Sequence, residues 1–287
     1  MLYGRADDWR NAPRKRIMLF GMSGLGKTHI SALLRDAGGW FHYSVDYRIG
    51  TRYMGEHIAD NFKREAMKVP LLRELLMSDS VYIASNITFD NLAPLSTYLG
   101  KPGDPDKGGL PWAEYRRRQE LHRAAEVAAM MDVAHFAERA EDLYGYSNFV
   151  CDSSGSICEV VDPEDPDDPV MSALTETVLP VWIEGSADHT EELIRRFDRA
   201  PKPMCYHDAF LDQAWADYAV ETGLSETEIV PDAFIRWAYA RALAHRQPRY
   251  AAMAARWGVT VAADDIAKVA SEADMIDLVA AALEARA

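Results

Sequence analysis

The sequence predicts an α/β domain built on a mainly parallel sheet, and three observations predict it. Apolar runs of strand length alternate with segments of helical periodicity along most of the 287 residues. The runs are continuous rather than alternating, as strands covered on both faces require. The first of them, RIMLFG at 16–21, leads straight into a glycine-punctuated turn and an amphipathic segment.

The elements follow in order. Residues 1–15 read as polar and irregular. Strand-length runs occur at 16–21, 40–45 (WFHYSV), 80–85 (SVYIAS), 148–151 (NFVC), 178–185 (VLPVWIEG) and 257–263 (WGVTVAA). Helix-like segments lie between them, from Lys27 to Arg35, Met67 to Met77 and Asp188 to Phe197. The stretch LGKPGDPDKGGLP at 99–111 is rich in Gly, Pro and Asp and reads as a loop. It precedes a long helical pattern that ends at Gly145, a natural C-cap. Residues 100–147 therefore read as a mainly helical insertion within one domain spanning 1–287. DPEDPDDP at 162–169 is an acidic loop broken by prolines.

Composition narrows the function classes. The formal charge of -14 argues against a surface that tracks nucleic-acid phosphates, which gathers Lys and Arg instead. Three cysteines without a CxxC pair suit a reducing compartment and form no disulfide framework. No apolar run reaches membrane length, and IMLF is too short for a signal segment, so the expected setting is cytoplasmic, with no membrane partner. The eight histidines show no HExxH spacing, so the sequence carries no zinc signature.

Gly21-Met-Ser-Gly24-Leu-Gly26-Lys27-Thr28 fits GxxxxGK[ST] between a strand and a helix. Each residue type has a reason. The glycines let backbone N–H groups turn toward phosphates without a Cβ in the way. Lys27 reaches the β- and γ-phosphates, and the Thr28 hydroxyl is the expected Mg²⁺ ligand. The helix that follows adds its positive end. Gly21, Ser23, Gly24, Leu25, Gly26, Lys27, Thr28 and His29 form the expected nucleotide contact, which makes the domain a three-layer α/β/α P-loop NTPase binding ATP and Mg²⁺. A guanine-reading NKxD is absent, and no apolar strand ends in Asp-Glu as in motor ATPases. Those absences favour a small-molecule kinase.

GMSGLGKT resembles the loop of P-loop kinases and is similar to that of shikimate kinases. WFHYSVDYRIGTRYMG resembles the segment in which a strand of that family ends in DxD, with Asp46 at the second Asp and Ser44 at the first. NFKREAMKVPLLRELLMSDSVYIAS is similar to the family's Phe-Arg segment, helix and third strand. HRQPRYAAMAARWGVTVAA at 245–263 carries an R-x-P-x-Y-x-x-x-A pattern at Arg246, Pro248, Tyr250 and Ala254 that recurs near the family's C-terminus. These matches cover about the first ninety residues and the last forty-five. SNIT at 85–88 stands where the family has three glycines. With Ser44, that departure points to a related kinase with a different acceptor.

The resemblance implies that Asp46 positions or deprotonates the acceptor hydroxyl, and that Arg246, with Arg64, grips a negative group on it. Read from the residues alone, Asp46 also suits a strand-end turn. Asp152, in NFVC-DSSGS-ICEVV, suits the Mg²⁺ site if its strand lies beside the first; it reads equally as part of a β-hairpin loop. Arg195, Arg196, Arg199 and Lys202 fit a basic lid over 195–210, or a solvated helix end favoured by its dipole. The expected function is ATP-dependent phosphoryl transfer to the hydroxyl of a small, anionic acceptor, with Lys27 and Asp46 as the catalytic pair. The alternative is a regulatory ATPase that signals to a protein partner through the 100–147 insertion.

Overall fold

Arg16–Phe20 (β1) is the middle strand of five in the computed structural model, which describes residues 2–286. The others are Trp40–Ser44 (β2), Asn148–Asp152 (β3), Leu179–Glu184 (β4) and Val259–Ala262 (β5). The sheet order is β2-β3-β1-β4-β5 and every pairing is parallel. Ile17, Met18, Leu19 and Phe20 are fully buried, as the continuous apolar run requires. The helix Lys27–Ala37 packs on β2 and β3, and the C-terminal helix Glu272–Arg286 on β5. Val133–Tyr144, Pro169–Thr177 and Pro231–Trp257 pack on the sheet as well, completing an α/β/α sandwich.

The connection after β1 runs toward β2, whereas the one after β4 runs toward β5. The winding thus reverses at β1 and β4, and a crevice opens at their carboxyl ends, the place where open parallel sheets bind ligands. The glycine-rich loop sits there.

Four expectations need correction. The run 80–85 is not a strand. Residues 81–87 have no regular structure, and Tyr82 is 88% exposed. The place beside β2 belongs to β3, whose Phe149, Val150 and Cys151 can be buried on both faces, unlike the serine-flanked SVYIAS. The helix expected over 67–77 begins only at Pro70, as Pro70–Met77, because Pro70 holds Val69 in an extended conformation, and a separate helix, Gly55–Ala66, precedes it. The pattern ending at Gly145 is two helices, Trp112–Met131 and Val133–Tyr144, and Asp132 at their junction accepts bonds from Arg48 (2.8 Å) and Tyr53 (2.7 Å). The hairpin alternative for 148–161 also fails, since Ile157–Val160 is a helical turn. A smaller difference lies at the start of the chain. Ala6–Asn11 is helical, with Trp9 fully buried and its indole N–H donating to the Ile276 carbonyl at 2.8 Å.

Candidate active site at the carboxyl end of the sheet

The loop after β1 can be occupied only by small, flexible backbone. Gly21 has φ 132, and a Cβ there would lie 2.7 Å from the Ile183 carbonyl of β4. Gly26, at φ 97, opens the helix Lys27–Ala37 with no side-chain cap, so the first-turn amides are left for a ligand. Ser23 and His29 are exposed, while Leu25 is buried in the core. Lys27 is 7% exposed, and its ammonium donates to the Gly21 (2.8 Å) and Met22 (3.1 Å) carbonyls. Burial lowers its pKa, against the pull of Asp152 and Asp46.

The parallel pairing of β1 with β3 brings the Thr28 hydroxyl to Asp152, to which it donates at 2.6 Å. Asp152 is buried, and burial raises its pKa against the effect of Lys27 and Thr28. Its other oxygen, Oδ1, has no hydrogen-bond partner among the described residues. A hydrated divalent cation fits this arrangement, because a hydroxyl and a half-satisfied buried carboxylate lie next to the glycine-rich turn. His42 of β2 stands 4.0 Å from Asp152 and stacks on Phe89. Burial lowers its pKa to about 4, so its ring is neutral at physiological pH.

Asp46 lies just past β2 in the short helix Val45–Arg48, which Ser44 caps by accepting the Tyr47 N–H at 3.3 Å. Burial, then the nearby Asp152 charge, raises the Asp46 pKa to about 6, opposed by Lys27. A cavity of about 160 Å³ brings Asp46 together with Ser23, His122, Gly155, Ser156 and Arg246. The two acceptor candidates, distant in sequence, therefore border one space beside the phosphate loop.

Arg246 is not the open fork that was expected. It is 4% exposed, and it donates through Nε to Glu159 (2.6 Å), through Nη1 to the Gly155 carbonyl (3.0 Å) and through Nη2 to the Cys205 carbonyl (2.6 Å). Tyr250, one turn further along the same helix, also donates to the Gly155 carbonyl at 2.6 Å. The R-x-P-x-Y pattern thus pins the loop after β3. Burial alone would raise the Glu159 pKa, but Arg246 and His245 hold it at about 2. Arg64 is exposed on Gly55–Ala66 and does not line the cavity.

The basic cluster divides. Arg196 and Lys202 line a second cavity of about 420 Å³ that shares Ser23, Ser96, Pro203 and Met204 with the first. Arg195 and Arg199 are exposed and line neither, and both Arg195 and Arg196 pair with Glu192. Sequence reasoning missed Glu126, which is fully buried and accepts the Ser156 hydroxyl (2.8 Å) and that of Ser154. Burial raises its pKa to about 7. The available signal was a carboxylate within the alanine- and methionine-rich face of its helix. Glu159, His42 and His122 gave no signal.

No protein-family model and no curated protein matches this sequence. Among solved structures, a shikimate kinase from Bacteroides thetaiotaomicron is similar at 16% identity, over 94% of this chain and 95% of that one, with a TM-score of 0.37.

Proposed function

We propose that this chain is an ATP- and Mg²⁺-dependent phosphotransferase acting on the hydroxyl of a small acceptor. The observation that carries the reading is the Thr28–Asp152 bond at the mouth of the glycine loop, with Asp46 on a cavity next to it. In this reading the chain works as a single domain, with 100–147 as its helical insertion and 195–210 as the basic lid.

Lys27 exchanges the Gly21 and Met22 carbonyls for phosphate oxygens. Thr28 and Asp152 would hold Mg²⁺, which would supply charge neutralisation at the phosphates. Asp46 orients the acceptor hydroxyl and takes its proton as the new O–P bond forms and the bond to the leaving ADP breaks. Arg246 serves by fixing Gly155 and Cys205 rather than by gripping the acceptor. A negative group on the acceptor, or on the transferring phosphoryl, would meet Lys202 and Arg196 instead. No helix among the described residues is long and apolar enough to cross a membrane.

A second reading, a regulatory NTPase with a protein partner, draws support from exposed apolar side chains. These are Met131, Leu143 and Tyr144 in the insertion, and Leu71, Met77 and Tyr82 before it.

Thermal denaturation with a non-hydrolysable ATP analogue, Mg²⁺ and a panel of hydroxylated metabolites tests the proposal. At a hundredfold excess over Kd the analogue contributes about 2.7 kcal/mol and raises Tm by about 5 °C. Lys27→Ala should keep its circular dichroism and lose that shift, and an acceptor should add a further shift only with nucleotide present. An equal shift in Lys27→Ala refutes nucleotide binding at this loop. Rapid ATP turnover with no metabolite effect favours the regulatory reading.

A further inference from the structure

We propose that His122, Glu126 and Cys205 form a binding site for Zn²⁺, separate from the Mg²⁺ position at Thr28 and Asp152. His122 and Glu126 are four residues apart on the helix Trp112–Met131 and so share a face. Cys205 comes from the extended stretch between the helices Ala187–Arg199 and Asp208–Thr222. An imidazole nitrogen, a carboxylate oxygen and the thiol sulfur all lie within 4.8 Å of one another. Metal bonds of about 2.0–2.3 Å at the tetrahedral angle place donor atoms about 3.3–3.8 Å apart. His122 Nδ1 and Glu126 Oε2 are 3.6 Å apart, which is too long for a hydrogen bond and suits two ligands of one ion.

A second observation points to a ligand. His122 is 4% exposed, and its Nδ1 has no hydrogen-bond partner among the described residues. Buried polar atoms are normally satisfied, so this nitrogen, beside Glu126, lacks the partner that an ion shared between them would supply. The outer contacts are those a metal site needs. The Ser156 hydroxyl donates to both Glu126 oxygens (2.9 and 2.8 Å), and the Ser154 hydroxyl donates to one of them. Arg246 holds the Cys205 carbonyl, which fixes the position of the thiol-bearing segment. Such contacts orient ligands before the metal arrives.

The donor set selects the ion. Mg²⁺ and Ca²⁺ take oxygen ligands, whereas one imidazole, one thiolate and one carboxylate suit a borderline cation. His122 and Cys205 also border the cavity that Asp46 lines, so a fourth ligand would enter from that side. Three protein ligands with one open position is the arrangement of zinc sites that bind an exchangeable group. Nothing in this inference depends on phosphoryl transfer.

The test uses the full chain, stripped with a chelator and kept in excess Mg²⁺ to saturate the loop site, then titrated with Co²⁺. One equivalent should bind and produce a near-ultraviolet thiolate-to-cobalt band, which one equivalent of Zn²⁺ removes. Cys205→Ser should lose the band, His122→Gln should lose stoichiometric binding, and Ser156→Ala should weaken Zn²⁺ by about tenfold. No Co²⁺ bound beyond what Mg²⁺ displaces overturns the proposal. So does a band that survives in Cys205→Ser, because it would then arise from Cys151 or Cys158. If Cys205→Ser fails to fold by circular dichroism, His122→Gln decides on the same criterion.

Discussion

Asp46 shows how a single residue can be set up for chemistry by its surroundings. A carboxylate that must take a proton near neutrality works best when its pKa approaches the working pH, and burial together with Asp152 raises Asp46 to about 6. The sign follows from which form the site disfavours. Because the folded-state pKa lies above the unfolded value, ionising Asp46 costs stability as pH rises from about 4 to about 6, while in the folded protein the ionised base accumulates around pH 6. We therefore expect kcat/KM for the phosphoryl acceptor to rise with pH along a limb centred near 6. A Mg²⁺ ion held by Thr28 and Asp152 would favour the carboxylate and shift the limb to lower pH. Asp46→Asn should abolish the limb and reduce kcat by about 10²–10⁴-fold with ATP affinity kept. A limb that persists in Asp46→Asn would assign the proton to another group.

At the scale of elements, the loop after β3 packs between the sheet and the glycine loop. Gly155 packs so closely on Ser23 that a Cβ would collide with the Ser23 hydroxyl, while Arg246 and Tyr250 hold the Gly155 carbonyl from the other side. Gly155→Ala should therefore push on the phosphate turn, at a cost of about 1–3 kcal/mol, and weaken ATP binding by about tenfold in calorimetry. Gly4→Ala meets nothing closer than 3.7 Å and should leave affinity unchanged. Equal affinities in the two variants would show that the β3 loop and the phosphate loop move independently. The stretch 45–66 has its own irregularity: a π-helical segment, Ile49–Tyr53, follows the Asp46 turn, and Ile87 fills the space beside Gly50. SNIT thus contributes Ile87 as packing against that segment.

Across the whole molecule, the Arg246–Glu159 pair ties together the helix Pro231–Trp257, the loop after β3 and the stretch leading to Asp208. Removing one partner of a fully buried ion pair leaves the other charge uncompensated, at about 3–5 kcal/mol. Arg246→Ala should lower the urea midpoint accordingly. Arg246→Lys should not restore it, because an ammonium cannot reach three acceptors in a guanidinium's plane. A stable Arg246→Ala protein with only a raised acceptor KM would instead return the residue to the substrate-binding role the resemblance implies.

The sheet and its glycine turn were legible in the sequence because their signals are local. A strand buried on both faces must be apolar throughout, and a backbone that crowds the Ile183 carbonyl must be glycine at residue 21. Which apolar run entered the sheet was not local. SVYIAS and NFVC have similar strand propensity, but the place beside β2 went to Asn148–Asp152, whose apolar residues can be buried on both faces, and 81–87 lies outside the sheet. The roles of the charged residues were equally hidden. Asp152 meets Thr28, Arg246 meets Glu159, and Glu126 meets Ser156 across separations the one-dimensional pattern does not encode. The sequence by itself determined the fold class and the glycine turn, because burial on two faces and positive φ each restrict residue type at the position concerned. Tertiary structure alone decided which charges face the cavity and which are neutralised within the core, because an ionic contact depends on distance in space.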